Sequence, residues 1–322
     1  MIKWGLIGCG NVCEVKSGPA FYKCDGSSLV AVMCRTEVKA KDFAKRHNVS
    51  KYYTDADALI NDPEVDIVYV ATPPDSHAEL AIKTMKAGKP VYVEKPMATT
   101  YEECKLMIEA SKKYNQKLFV AYYRRRLPYF LKIKEILDSG VIGKVQVVKG
   151  EYFRQPSPSD LKKETQNWRL NKSVSGGGYI YDVGSHTIDI LMFLLGNIVH
   201  AKGITTNVSG LYEVEDTVSA SFLFESGAVG SAIWSYASSA LQQRKDILVI
   251  IGEKGSIEFS TFAFTDIILK TENNEETFDI SPPQHIQSHL IQSIIDELNN
   301  KGKAPSTGET AALTNKIIEE II

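Results

Sequence analysis

Two stretches of the chain carry side chains whose types and spacing suit acid–base chemistry. At residues 91–96 the run Val91-Tyr92-Val93-Glu94-Lys95-Pro96 reads as a short buried strand that ends in an acid, a base and a proline. Pro96 fixes its own φ and restricts Lys95 to extended geometry, which holds the lysine at a sheet edge. A lysine beside a low-dielectric site shifts its pKa and serves as acid, base or electrostatic clamp. A surface Glu–Lys pair at a strand end is the alternative. The second stretch runs from Gly176 to Asp189. If it is helical from about residue 178, Asp182, His186 and Asp189 share a face by their spacing. An aspartate near a histidine orients the imidazole and stabilises its protonated form, as general-base catalysis requires. An acid on a helix dipole beside a satisfied histidine is the alternative there.

The elements around these residues are expected to alternate. A strand over 2–7 leads into Gly8-Cys9-Gly10-Asn11-Val12-Cys13. Gly8 and Gly10 match the first two glycines of a dinucleotide fingerprint, with Asn11 and Val12 opening the helix that would receive a pyrophosphate. Cys13 stands at the third glycine, where a small thiol is expected to pack. A plain glycine turn is the competing reading. The next strand, over 29–34, ends in Cys34-Arg35-Thr36, with no acid to bind ribose hydroxyls. Arg35, with Lys39 one helical turn on, suits a 2′-phosphate, so NADP(H) is favoured over NAD(H). Arg35 as a solvated or adenine-stacking residue is the alternative. Strands at 66–71, 91–93 and 117–121 alternate with helices at 38–47, 56–61, 78–87 and 101–114. That order predicts βαβ units and a doubly wound parallel sheet. Beyond residue 121 the pattern changes. After a helix at 127–138, strands are expected at 144–153, 199–207, 216–224, 228–236, 246–252, 256–260 and 264–271, many alternating polar and apolar. Helices at 286–299 and 309–322 follow.

The predicted fold is therefore α/β. An N-terminal Rossmann-type doubly wound parallel sheet (1–121) precedes a C-terminal α+β domain (122–322) with a large, mostly antiparallel open sheet. A length of 322 residues suits two domains, and 43% hydrophobic with 24% charged residues is ordinary for a globular protein. A net charge of −2 gives no electrostatic case for nucleic acid or an anionic membrane. No apolar run is long enough to span a bilayer. The five cysteines lack the spacing of a zinc site, and no metal is expected. An odd cysteine count without a secretory leader predicts a cytoplasmic protein. A wide sheet face in the second domain predicts a homodimer or homotetramer. Arg124, Arg125, Trp168 and Arg169 hint at a polar ligand, acidic or sugar, with solvated basic residues as the alternative.

Taken in order, the glycine turn, the Ala71-Thr72-Pro73-Pro74 loop with His77, the Glu94-Lys95-Pro96 triplet and the Asp182/His186 pair resemble the glucose–fructose oxidoreductase / inositol dehydrogenase / MocA family over essentially the whole chain. Through Arg35 and Trp168-Arg169 the pattern is most similar to 1,5-anhydrofructose reductases and dihydrodiol dehydrogenases. Cys13 and the basic run at 122–126 depart from the usual pattern. The resemblance implies a nicotinamide-dependent oxidoreductase acting on a secondary hydroxyl or ketone of a sugar, polyol or related small molecule. It implies that Lys95 contacts both the nicotinamide ribose and the substrate oxygen, that His186 accepts the proton, and that Asp182 binds a neighbouring hydroxyl. His77, Lys95 and His186 are expected to converge on one crevice. By the same resemblance Thr72, Pro73, His77, Glu94, Trp168 and Arg169 join the cofactor set, and Tyr123 and Arg124 join Asp182 at the substrate. The family also admits a redox-assisted glycoside-cleaving enzyme with retained cofactor, and a dinucleotide-binding regulator without turnover.

Overall fold

The first sheet has six strands: β1 (Ile2–Ile7), β2 (Ser27–Met33), β3 (Lys51–Tyr53), β4 (Ile67–Val70), β5 (Val91–Val93) and β6 (Leu118–Val120). In the computed structural model, which describes residues 1–162, 167–239 and 244–322, their order is β3-β2-β1-β4-β5-β6 and every pairing is parallel. This is the doubly wound order whose ligand crevice lies beyond the carboxyl ends of the strands, where the chain reverses direction across the sheet. The sequences of β4 and β5 explain their place. Alternation sends Val68, Val70, Val91 and Val93 to one face, where they meet Met85, Met97, Met107 and Val120. It sends Tyr69 and Tyr92 to the other face, where they stack at 5.0 Å, and Phe21 lies 5.1 Å from Tyr69 and 4.6 Å from Trp4. Both faces are buried, as helix-covered parallel sheets require.

The turn after β1 is shaped by Gly8, whose φ of +106° and an added Cβ only 2.7 Å from the Ala71 carbonyl oxygen exclude other residues. Cys13 is fully buried and its thiol donates to the Gly8 carbonyl at 3.0 Å, so the third position packs as expected. The helix there differs from expectation. Residues Cys13–Ser17 form a π-turn, and regular α-helix starts only at Gly18. Glu14 on that turn accepts two bonds of 2.7 Å from Arg46, with His47 at 3.0 Å. The Arg46 bonds, reinforced by His47 and acting against burial, hold its carboxyl down at about 2. A depressed folded-state pKa contributes stability that is present above the ordinary glutamate range and is lost as pH falls toward 2. Glu14→Gln is therefore expected to be less stable than wild type at pH 6, with the gap closing between pH 5 and 2. Urea midpoints across that range check this, and a gap that stays constant would refute it.

The chain divides otherwise than at residue 121. One unit comprises Met1–Leu127 with Pro283–Leu313, and the other Pro128–Pro282 with Thr314–Ile322. Pro283–Leu313 belongs with the parallel sheet because Gln287 is fully buried against it. Gln287 accepts from the Tyr92 hydroxyl at 2.9 Å and donates to Glu94 at 2.7 Å. Helix Ser288–Leu298 then buries Leu290, Ile291, Ile294 and Ile295.

The second unit is built on β7 (Val145–Phe153), β8 (Ile198–Thr206), β9 (Thr217–Phe224), β10 (Val229–Ser235), β11 (Lys245–Gly252), β12 (Gly255–Phe259), β13 (Ile267–Thr271) and β14 (Glu275–Phe278). They form one sheet in the order β14-β13-β12-β11-β7-β10-β9-β8, antiparallel except for β7 against β10. Sequence reasoning misses β3 and β14. Both are sheet-edge strands of three and four residues, and half or more of each is polar or exposed. Among the described residues, no helix is long and apolar enough to cross a membrane.

Candidate active site

In the first unit the site residues gather at the carboxyl ends of β1, β2, β4 and β5. Gly10 is exposed, and a Cβ added there would meet no protein atom within 4 Å. The turn thus leaves open the flank along which a phosphate would approach the backbone of Asn11 and Val12. Arg35 and Lys39 are exposed just beyond β2. The Thr72–Pro73 loop follows β4, and His77 ties it to the next loop: its Nε2 lies 2.8 Å from the Thr72 carbonyl oxygen and its Nδ1 3.0 Å from that of Pro96. Burial holds the His77 pKa below its ordinary value against the pull of those carbonyls. Fully buried between two backbone oxygens, His77 positions the Lys95 loop rather than meeting a ligand as an acid.

Glu94, read from the sequence as a cofactor residue, turns inward. Its carboxylate accepts from the Tyr69 hydroxyl at 2.5 Å, from Gln287 at 2.7 Å and from the backbone N–H of Lys95 at 3.2 Å. It is a prop under the strand end. Lys95 itself is half-buried at the end of β5, before a cis Pro96. Tyr123 lies within the reach of its charge. Burial would raise that phenol, but Arg124, Lys16 and Lys95 together outweigh burial and hold it below an ordinary tyrosine. Arg124 and Arg125 are buried, so they are not solvated surface cations. Arg124 lies 5.0 Å from the Tyr123 ring, and Arg125 donates to the Pro305 carbonyl at 3.0 Å.

In the second unit Asp182 and His186 stand where two kinds of helix meet. Ile180–Gly184 is a π-turn and Ser185–Leu195 an α-helix, so the regular helix expected from about residue 178 is replaced by a wider one over its first part. Gly184 closes this turn in a tight place, where an added Cβ would come within 2.4 Å of Ile180 and 3.1 Å of the Tyr236 hydroxyl. Such π-turns recur at functional sites. Asp182 accepts from Arg169 Nε at 2.8 Å, and the Arg169 guanidinium stacks 4.4 Å over Trp168. Trp168 and Arg169, expected in the cofactor set, thus lie beside the candidate substrate carboxylate. His186 is 5% exposed, with its ring edge-on to Phe262 at 5.8 Å. Asp189 is fully buried and accepts from Thr314 at 3.4 Å.

Sequence reasoning misses Asp246. Its carboxylate caps the backbone N–H groups of Thr261, Phe262 and Ala263 at 2.9, 2.6 and 2.8 Å, fixing the loop that presents Phe262 to the imidazole. It also misses Asp160, buried under Tyr179 with a 2.6 Å bond from the phenol. Neither stands in a local motif. Among the described residues no group of three or more His, Cys, Asp or Glu has the arrangement to hold a metal ion.

Comparison with known proteins places these features in a family. The sequence model described as "Oxidoreductase family, NAD-binding Rossmann fold" matches residues 2–122, and that of the "GFO/IDH/MocA C-terminal domain" matches residues 130–258. Oxidoreductase P35 of Formosa agariphila is 40% identical over 99% of this chain and 97% of its own. A 1,5-anhydro-D-fructose reductase of Ensifer adhaerens is 29% identical over 71% of this chain and 68% of its own. Among solved structures, levoglucosan dehydrogenase in complex with NADH and levoglucosan superposes with a TM-score of 0.86 at 24% identity, covering 99% of this chain and 96% of that one.

Proposed function

We infer the reaction from a premise the comparisons supply: the chain belongs to the GFO/IDH/MocA family of NAD-binding oxidoreductases. The protein moves a hydride between a nicotinamide dinucleotide and a secondary hydroxyl or ketone of a sugar or polyol. The observation that carries this is the Arg169–Asp182 pair on the turn leading into buried His186. It supplies a fixed hydroxyl acceptor one helical turn from an acid–base group.

The bound dinucleotide supplies the hydride chemistry. The chain's residues supply the rest. Asp182, braced by Arg169, holds one hydroxyl of a vicinal pair. His186 takes the proton of the reacting hydroxyl as charge develops on its oxygen. The family resemblance assigns Lys95, a compact ammonium at the end of β5, the part of offsetting that charge. Phe262, held by Asp246, restricts the imidazole's rotation and keeps water from it. Turnover of a panel of sugars, polyols and keto-sugars with both cofactors tests the reading. No hydride transfer with any of them, from a protein that binds the dinucleotide, would refute it.

Arg35 supports NADP(H) over NAD(H). It is exposed at the end of β2, where an NAD site would place an acid. Arg35→Asp is expected to weaken NADPH binding roughly ten- to a hundredfold, the range of a charge-assisted hydrogen bond, and to leave NADH binding unchanged or improved. Equal wild-type affinity for the two cofactors would sink the assignment. The sheet of the second unit exposes Ile204 (75%) and Val229 (54%). These support burial between copies as a homodimer or homotetramer, which sedimentation checks. Five free cysteines support a reducing, cytoplasmic setting.

A further inference from the structure

We propose that Cys9 and Cys34 form a peroxide-sensitive disulfide that closes the dinucleotide turn. The inference rests on the reading of that turn as the cofactor site. β1 and β2 pair in register at Ile7 and Met33, and the Gly8 N–H continues the ladder to the Met33 carbonyl at 2.9 Å. Cys9 and Cys34 therefore leave neighbouring parallel strands within one or two residues of the last pair. Strands so paired are about 4.8 Å apart and the register sets Cys34 opposite Gly8, so Cys9 stands one residue off a pair, and the glycine turn must supply that step to reach the roughly 4.4–6.8 Å Cα separation of a disulfide. The Cys9 thiol points back to the Met33 carbonyl, 3.7 Å away, at the strand end that carries Cys34. Both are half-buried, open to a small oxidant, whereas Cys13 and Cys104 are buried.

The chemistry balances with a hydroperoxide as oxidant. The Cys34 sulfur attacks one peroxide oxygen, an S–O bond forms as the O–O bond breaks, and the departing hydroxide is protonated to water. The Cys9 sulfur then attacks the sulfenic sulfur. The S–S bond forms, the S–O bond breaks, and the Cys9 proton leaves in a second water. Two thiols lose two electrons and two protons, and the peroxide becomes two waters.

The position gives the bond its effect. Cys9 lies between Gly8 and Gly10, and Cys34 precedes Arg35. A cross-link would tether the glycine turn to the strand end that presents Arg35, and a bound dinucleotide would in turn shield both sulfurs.

The test uses the full chain treated with hydrogen peroxide, with and without NADPH present. Disulfides are mapped by non-reducing peptide mass spectrometry, and cofactor affinity is titrated before and after treatment. The expected result is a Cys9–Cys34 cross-linked peptide that forms more slowly with NADPH bound. Cofactor affinity should fall about tenfold or more and return with dithiothreitol. Cys34→Ser should keep its affinity through the same treatment. A reduced protein that binds cofactor but never yields the cross-link overturns the proposal, as does a cross-linked protein of unchanged affinity. A reduced protein that binds neither cofactor would instead overturn the reading of the turn, and the proposal with it.

Discussion

Replacing His186 by alanine is expected to lower kcat roughly a hundred- to ten-thousandfold, the contribution of a positioned acid–base group. Cofactor affinity should stay within about twofold, since the part proposed for the imidazole is proton transfer and not dinucleotide binding. The imidazole is 5% exposed and edge-on to Phe262, so the truncation also opens a cavity. His186→Gln, which keeps more of the volume and loses the proton acceptor, separates the two effects. Both variants should lose turnover alike if the ring is the base. A His186→Gln enzyme of wild-type turnover, or a His186→Ala enzyme whose activity falls only as far as its melting point, would make the residue a packing element.

Lys95→Ala is expected to cost turnover on a similar scale, roughly a hundredfold or more, if the lysine has its proposed role of offsetting charge on the reacting oxygen. Its signature differs from that of His186. If Lys95 also touches the nicotinamide ribose, the substitution raises the cofactor Kd as well as lowering kcat. Lys95→Arg should rescue poorly, since a planar guanidinium fork replaces a compact ammonium. Tyr123 offers a second readout. Its phenol is held below the ordinary tyrosine range against burial by Arg124, Lys16 and Lys95, so its titration should move up in Lys95→Ala. Spectrophotometric titration follows the phenolate. An unmoved phenol would separate Lys95 from Tyr123, and full turnover in Lys95→Arg would reduce the lysine to a bare positive charge.

The parallel sheet is legible because β4 and β5 are apolar on both faces, a pattern that short exposed segments do not produce. The edge strands β3 and β14 are not, because edge strands carry polar residues that read as loop. Lys95, Asp182 and His186 stand out because charge at the end of an apolar run is costly without a purpose. Glu94 has the same local signature and serves a different end. Its partner Gln287 lies 193 residues away, and no window of sequence shows that contact. The same distance hides the return of Pro283–Leu313 to the first unit. The tight fit of Gly184 under the Tyr236 hydroxyl is likewise a contact across the sequence that no local window shows. Phe262 and Asp246 are invisible for the same reason: what they hold in place is only a neighbour in space.

The return of Pro283–Leu313 sets a schedule for synthesis. A ribosome that has released Leu127 must add a further 160 residues, Pro128 to Gln287, before Gln287 can reach Tyr92 and Glu94. At about 5–20 residues per second, that interval is roughly 8–30 s. Throughout it, Tyr92 and Glu94 wait without their Gln287 partner. The second unit waits too, for Thr314–Ile322. A stop codon shortly before residue 283 would therefore leave two incomplete cores rather than one finished domain and one missing.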